Sequence, residues 1–291
     1  MNVKYDRLAG NLVLSQENYV ASMLKTYGME NSNGHYTPAE INKLSKDDVP
    51  LLDAPLRKEY ESMVGSILYA STCTRPDISY AVSRCGSFTS APAEPHRVAA
   101  KRILRYLKRT PSDGISFAAG SNYGLELIGF ADADWAGDAD TCRSRGGYVF
   151  LLAGGSVSWH SKLQATVARS STEAEFMSLA DAVSEAKHLR QLLSELGCVQ
   201  QGPTKIYEDN LGCVYMSKNE LFSRRVKHID VGYYFVQESV NQFKDVDVIK
   251  IGTNANPADC LTKPLAKEKL DDFRTLLMHV ADVRLRDESV K

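Results

Sequence analysis

The sequence predicts an α/β fold, with a mixed sheet flanked by helices in the C-terminal half and a mainly helical segment ahead of it. Residues 125–135, 146–153 and 156–168 are successive β-rich runs joined by short glycine-containing turns, as in an antiparallel meander. A long helix follows. Ser171 or Thr172 caps it, acids fill its first turn, and Phe176, Leu179, Ala180, Val183 and Leu193 form an apolar stripe ending near Gly197. A strand (205–208), a helix, a second helix (about 228–241), a strand (246–252) and a last helix from Pro257 then alternate. A meander followed by helix–strand alternation is the pattern of a mixed sheet.

Ahead of this, residues 2–15 read as two short strands around Arg7-Leu8-Ala9-Gly10, and Ser15 caps a helix from Gln16 to Gly28. Residues 29–56 are a polar connection, after which 59–71 and 77–88 have helical periodicity. A third helix, 94–108, places Lys101, Arg105 and Lys108 at i, i+4 and i+7, with Arg102 and Arg109 alongside. This cationic face suits phosphates. Residues 110–124, with glycines, a proline and serines, mark a boundary, so that the expected units are 1–115, 121–278 and a tail, 279–291.

At 291 residues and 43% hydrophobic, the chain has material for two cores. A formal net charge of -1 excludes a wholly basic binder and confines any nucleic-acid contact to a local patch. The 6 cysteines include no C-x-x-C pair, which disfavours a zinc site or a disulfide framework and predicts reduced thiols in an intracellular protein of the cytoplasm or the nucleus. No apolar run approaches the roughly 18 residues of a membrane span, so no membrane partner is expected.

The chemistry rests on carboxylates. Two divalent ions about 4 Å apart can stabilise the attacking and leaving oxygens of a phosphodiester, and magnesium takes a few carboxylates from separate elements. Asp132 in the first β run, Glu175 in the long helix, Asp209 after the short strand and Asp259 at the start of the last helix fit that description. Asp134 shares the strand face of Asp132, and Glu173 flanks the helix stripe on the side opposite Glu175; periodicity does not choose between them.

The stretches FADADWAGD (130–138), SSTEAEF (170–176), EDN (208–210) and NPADCLTKPL (256–265) resemble the ribonuclease H domain of copia-type retrotransposon Pol polyproteins. DRLAGNLVLSQENYV, TRPDISYAV and KRILRYLKRT resemble the reverse-transcriptase segment that precedes it, so the likeness covers nearly the whole chain. The resemblance implies a ribonuclease H-like mixed five-stranded sheet behind a thumb or connection segment, and a C-terminal fragment of such a polyprotein. It implies metal-dependent endonucleolytic cleavage of the RNA strand of an RNA/DNA hybrid, with two Mg²⁺ ions (Mn²⁺ as substitute) on Asp132, Glu175, Asp209 and Asp259. The rest of a reverse transcriptase is an implied partner. The first strand's acid followed by a small residue favours Asp132, and an acid followed by an apolar helix residue favours Glu175.

For the hybrid, Ser170, Ser171 and Asn210 are candidates to read 2′-hydroxyls, and the basic run Arg224, Arg225, Lys227 and His228 to grip the backbone. Trp135 and Trp159 are expected in the core rather than stacked on bases. No Y-x-D-D stretch occurs, and Asp47-Asp48 sits in the polar connection, so no DNA synthesis is expected. Two other functions compete with the nuclease. A non-catalytic nucleic-acid-binding module would keep the basic surfaces alone, whereas an exonuclease would be expected to carry Asp-x-Glu where this chain has Asp132-Ala133-Asp134.

Overall fold

The computed structural model describes residues 1–41, 44–46, 49–120, 124–219 and 230–279. The chain opens with β1 (Asn2–Asp6) and β2 (Asn11–Ser15), joined through Gly10, whose φ of 67° lies where only glycine turns freely. Helix α1 (Glu17–Thr26) follows, then the polar connection. Helix α2 (Ala54–Cys73) starts earlier than its periodicity suggests, because Asp53 caps it by accepting from the Leu56 N–H and a proline occupies its first turn. Helices α3 (Ser79–Gly86) and α4 (Glu94–Arg109) complete the helical part.

The expected boundary at 110–124 holds a strand. β3 (Gly114–Ala118) pairs antiparallel with β2, giving a three-stranded sheet in the order β1-β2-β3. Gly114 serves close approach: a Cβ there would fall 2.1 Å from the Leu14 carbonyl oxygen.

The second sheet contains β4 (Ile128–Asp134), β5 (Arg145–Leu152), β6 (Gly155–Leu163), β7 (Thr204–Glu208) and β8 (Val246–Lys250), in the order β6-β5-β4-β7-β8. β4, β5 and β6 form the antiparallel meander, while β7 and β8 add in parallel beyond β4. Helix α5 (Ser171–Glu195) lies across one face, burying Phe176, Leu179, Val183 and Leu193 against Ala131, Phe150, Ile206 and Val248. Helices α6 (Leu211–Lys218) and α7 (Asp230–Gln237) complete that layer, and a π-helical turn, Glu238–Phe243, extends α7.

The expected last helix is two. Lys263 is extended (φ -144°, ψ 158°) ahead of Pro264, which disfavours the helical region for its predecessor and has no N–H to donate. The break leaves α8 (Asp259–Thr262) and α9 (Lys267–Met278). These cover the other face of the sheet, where Ile128, Phe130, Val149 and Leu151 join Leu261, Leu270, Phe273 and Leu277. The same core continues into Tyr60, Ile67, Ile78, Ile103 and Leu107 of the N-terminal helices.

The TRPD stretch of the sequence lies at that junction. The buried Arg75 guanidinium donates to both carboxylate oxygens of buried Asp77, at 2.9 and 2.8 Å, and to the Thr110 carbonyl at 2.8 Å. Tyr106 donates to Asp77 at 2.7 Å. A buried pair of charges persists only when its remaining hydrogen-bonding capacity is met in this way.

Candidate metal centre

Asp132 shares the face of β4 that carries Ile128 and Phe130, the face covered by α8. Its strand is fixed by Ser178 of α5, whose hydroxyl donates to the Asp132 carbonyl at 2.8 Å and accepts from the Gly147 N–H at 3.1 Å. Gly147 on the neighbouring strand admits α8, since a Cβ there would stand 2.8 Å from Leu261 Cβ. Glu175 enters from the first turns of α5, and Asp209 follows directly on β7. Side-chain oxygens of Asp132, Glu175 and Asp209 all lie within 4.8 Å of one another.

The two alternative acids are placed elsewhere. Glu173 is used at the start of α5: Ser170 accepts its N–H at 3.1 Å as the helix cap, and its carboxylate accepts the Arg169 N–H at 2.7 Å. The cap residue is thus Ser170, one before the serine expected. Asp134 folds against the turn after β4, where a Cβ on Gly137 would lie 1.9 Å from its Oδ2.

Asp259 stands beside the three-acid cluster and not within it. It is fully buried, with Lys263 Nζ 2.5 Å from Oδ1 and Lys269 Nζ 2.5 Å from Oδ2. Lys263 Nζ also lies 3.8 Å from Asp132 Oδ2, which accepts the Thr262 hydroxyl as well.

Sequence reasoning missed Glu208. The last residue of β7, it is fully buried, and its Oε1 accepts the Asn210 N–H at 2.9 Å. Two adjacent acids at a strand end were its only signal. Alternation puts Glu208 on the α5 side with Ile206, while Asp209 leaves the strand. Lys263 was also missed, although it stands four residues after Asp259.

Burial and crowding shift Asp132, Glu175 and Glu208 in one direction. Burial, aided by Asp259 and Asp209, pushes the Asp132 carboxyl up to about 7 against the pull of Lys263 and Thr262. Burial, then Glu208, Asp132 and Asp209, pushes Glu175 up to about 11. Burial likewise holds Glu208 well above the ordinary carboxylate range. Such a site favours protons or a cation, and its three converging carboxylates can hold a divalent ion.

No protein-family model matches the chain. It is 40% identical over 285 residues to the retrovirus-related Pol polyprotein from transposon TNT 1-94 of Nicotiana tabacum, covering 96% of this chain and 21% of that protein. It is 41% identical over 274 residues to the retrovirus-related Pol polyprotein from transposon RE1 of Arabidopsis thaliana, covering 94% of this chain and 18% of that protein. The chain belongs to the copia-type retrotransposon Pol family. This Pol segment thus spans only 21% and 18% of the length of the two relatives. Its five-stranded sheet carries an antiparallel meander and two parallel strands beyond β4. A solved structure, LC11-RNase H1 isolated from compost by a metagenomic approach, matches 51% of the Pol segment and 97% of its own chain at 14% identity and a TM-score of 0.37.

The expected phosphate-binding face of α4 is largely occupied in the Pol segment. Arg105 donates to the Asn33 carbonyl at 2.7 Å, and Lys108 to the carbonyls of Glu30 and, at 2.6 Å, Ser32. Arg102 reaches Thr37 and Glu40. The polar connection therefore packs along the stripe, with Lys101 half-buried beside it. Periodicity finds a cationic face but not what covers it.

Ser171 is exposed at the start of α5, whereas Ser170 is used in capping. Asn210 caps α6, its Oδ1 accepting the Cys213 N–H at 3.0 Å. Arg224, Arg225, Lys227 and His228 lie outside the described residues, as do Asp47 and Asp48. Trp159 packs against the core as expected and donates to the Ser71 carbonyl at 3.0 Å. Trp135 does not: it is 50% exposed, tethered through its indole N–H to the Ala168 carbonyl.

Proposed function

We propose that this Pol segment cuts the RNA strand of RNA/DNA hybrids by divalent-metal-dependent hydrolysis. The supporting observation is the convergence of Asp132, Glu175 and Asp209, from a strand, a helix and a strand end, to within 4.8 Å. The donor set fits Mg²⁺ or Mn²⁺: it is all oxygen, and Glu175 Oε2 and Glu208 Oε2 are buried without a hydrogen-bond partner among the described residues. When bound, a pair of such ions supplies an activated water and charge stabilisation at the leaving oxygen.

The chain's own groups do the positioning. Asp132 is held by Thr262 and by the Ser178 bridge between β4 and α5. Glu208 fixes the backbone after Asp209 through Asn210. A carboxylate site by itself does not distinguish RNA from DNA, so the choice must come from contacts to the 2′-hydroxyl. Exposed Ser171 and the Asn210 turn are the candidates nearest the acids. Arg224, Arg225, Lys227 and His228 are candidates for the hybrid's backbone, and the rest of a Pol polyprotein is the proposed partner.

The test is a labelled RNA/DNA hybrid incubated with the chain and Mg²⁺ or Mn²⁺. Internal cuts confined to the RNA strand are expected. Binding without cuts would identify a non-catalytic module, and trimming from an end would identify an exonuclease.

A further inference from the structure

The fourth acid differs from the other three in what holds it. Both oxygens of Asp259 are in contact with lysine ammonium groups, and one of these lysines leans on Asp132 as well. Magnesium demands carboxylate oxygens at about 2.0–2.1 Å in a near-octahedral shell. An oxygen already 2.5 Å from Lys263 Nζ cannot enter such a shell while the ammonium stays, because two cations would then share it. Resting on the metal-dependent reading above, we propose that Lys263 is an internal cation bridging the first and fourth carboxylates. The chain then holds one divalent ion firmly on Asp132, Glu175 and Asp209, and admits a second beside Asp259 only when Lys263 swings away.

The backbone is built for this placement. Pro264 stops α8 and leaves Lys263 extended, so its side chain turns back over the helix start instead of following the helix. The Lys263 side chain is 32% exposed, so its head can move into water without opening the core. Lys269, on the next helix, keeps hold of Asp259 Oδ2 during that movement and spares the buried carboxylate from losing both partners. Asp132 remains in place through Thr262. Lys263 is therefore a positioning residue that sets how strongly the second ion is held, with Asp259 as the ligand it releases.

The experiment is a calorimetric Mn²⁺ titration of the full chain, its Lys263→Met variant and its Lys263→Arg variant, with thermal melts of each in EDTA. The native chain should show one strong and one weak site. In K263M the weak site should tighten by at least about tenfold, the change that about 1.4 kcal/mol produces. K263R should keep the native isotherm. K263M should also melt lower in EDTA and recover with Mn²⁺, because its acids lose their resident cation. A purely structural lysine would lower the melting point and leave the isotherm alone. Mn²⁺ binding that is the same in the native chain and K263M overturns the bridge while sparing the metal site. No binding by any form overturns both. K263Q carries the same comparison should the methionine variant not fold.

Discussion

Replacing Asp132 with Asn should stabilise this protein in EDTA at alkaline pH, the opposite of what a buried-residue substitution ordinarily does. The Asp132 carboxyl, ordinarily at 3.8, stands at about 7 in the fold. Between those values the folded chain keeps a proton that the unfolded chain has released, so stability falls as the pH rises through that window. A difference of about 3 units, at 1.36 kcal/mol per unit, puts the cost of the ionised form at about 4 kcal/mol above pH 7. An amide lacks this charge but fits the Thr262 hydroxyl and Lys263 less well, so about half the ceiling is expected, roughly 2 kcal/mol. That corresponds to a rise of about 4–8 °C in Tm for a chain of this size. At pH 5 less than half of the window between the two values has been crossed and the folded carboxyl still holds its proton, so the gain should fall to less than half. Circular-dichroism melts of both proteins in EDTA at pH 5 and pH 8 decide it. A D132N protein that melts lower than the native chain at pH 8, or that gains more at pH 5 than at pH 8, would refute the argument from burial of the charge.

Mg²⁺ or Mn²⁺ should raise the Tm of the native chain and support cleavage, and Ca²⁺ should support cleavage poorly because its looser shell does not hold the octahedral geometry; equal hybrid-cutting rates with Ca²⁺ or in EDTA would count against the metal site. Asp132→Asn should abolish cutting in a hybrid gel assay while Asp134→Asn retains much of it, since Asp134 lies outside the acid cluster. The Lys101, Arg105, Lys108 triple alanine variant should lose about 1–3 kcal/mol of stability in urea titrations, because Arg105 and Lys108 hold the connection by backbone carbonyls. A variant with native stability and a flattened salt dependence of hybrid binding would instead restore the stripe as a phosphate surface. A fragment of residues 121–291 should show the broad melt and dye binding of a loosely packed state, because cutting there removes the N-terminal helices into which the core beneath α8 and α9 continues; a sharp, native-like melt would show that the fragment folds by itself.

How far the sequence reached depended on whether the deciding contact was local. The meander, α5 and the alternating strands follow from periods of two and 3.6 residues, and the structure reproduces them with small shifts at their ends. The acids were legible as types at strand ends and helix starts. What was illegible is what lies across the chain from each residue. Nothing near Gly114 says that the Leu14 carbonyl oxygen passes 2.1 Å from where its Cβ would be, so the strand inside the expected boundary was not legible. Nothing in α4 says that residues 30–37 will lie along its basic stripe. Pro264 was a local signal that could have been used: it divides the last helix and aims Lys263 back at Asp259.

These long-range contacts bear on the site itself. Asp132 and Asp259 lie on the sheet face whose core continues through α9 into α2, α3 and α4. That face is also tied across the junction by the buried Arg84–Asp138 pair, between α3 and the turn after β4. The three-acid cluster is different, because Glu175 belongs to the opposite layer and Asp209 to the strand end. The site therefore straddles two cores, one confined to the five-stranded sheet and the helices on its α5 side, the other shared with the N-terminal helices. A disturbance of the N-terminal helices should therefore reach Asp132, Asp259 and Lys263 before it reaches Glu175.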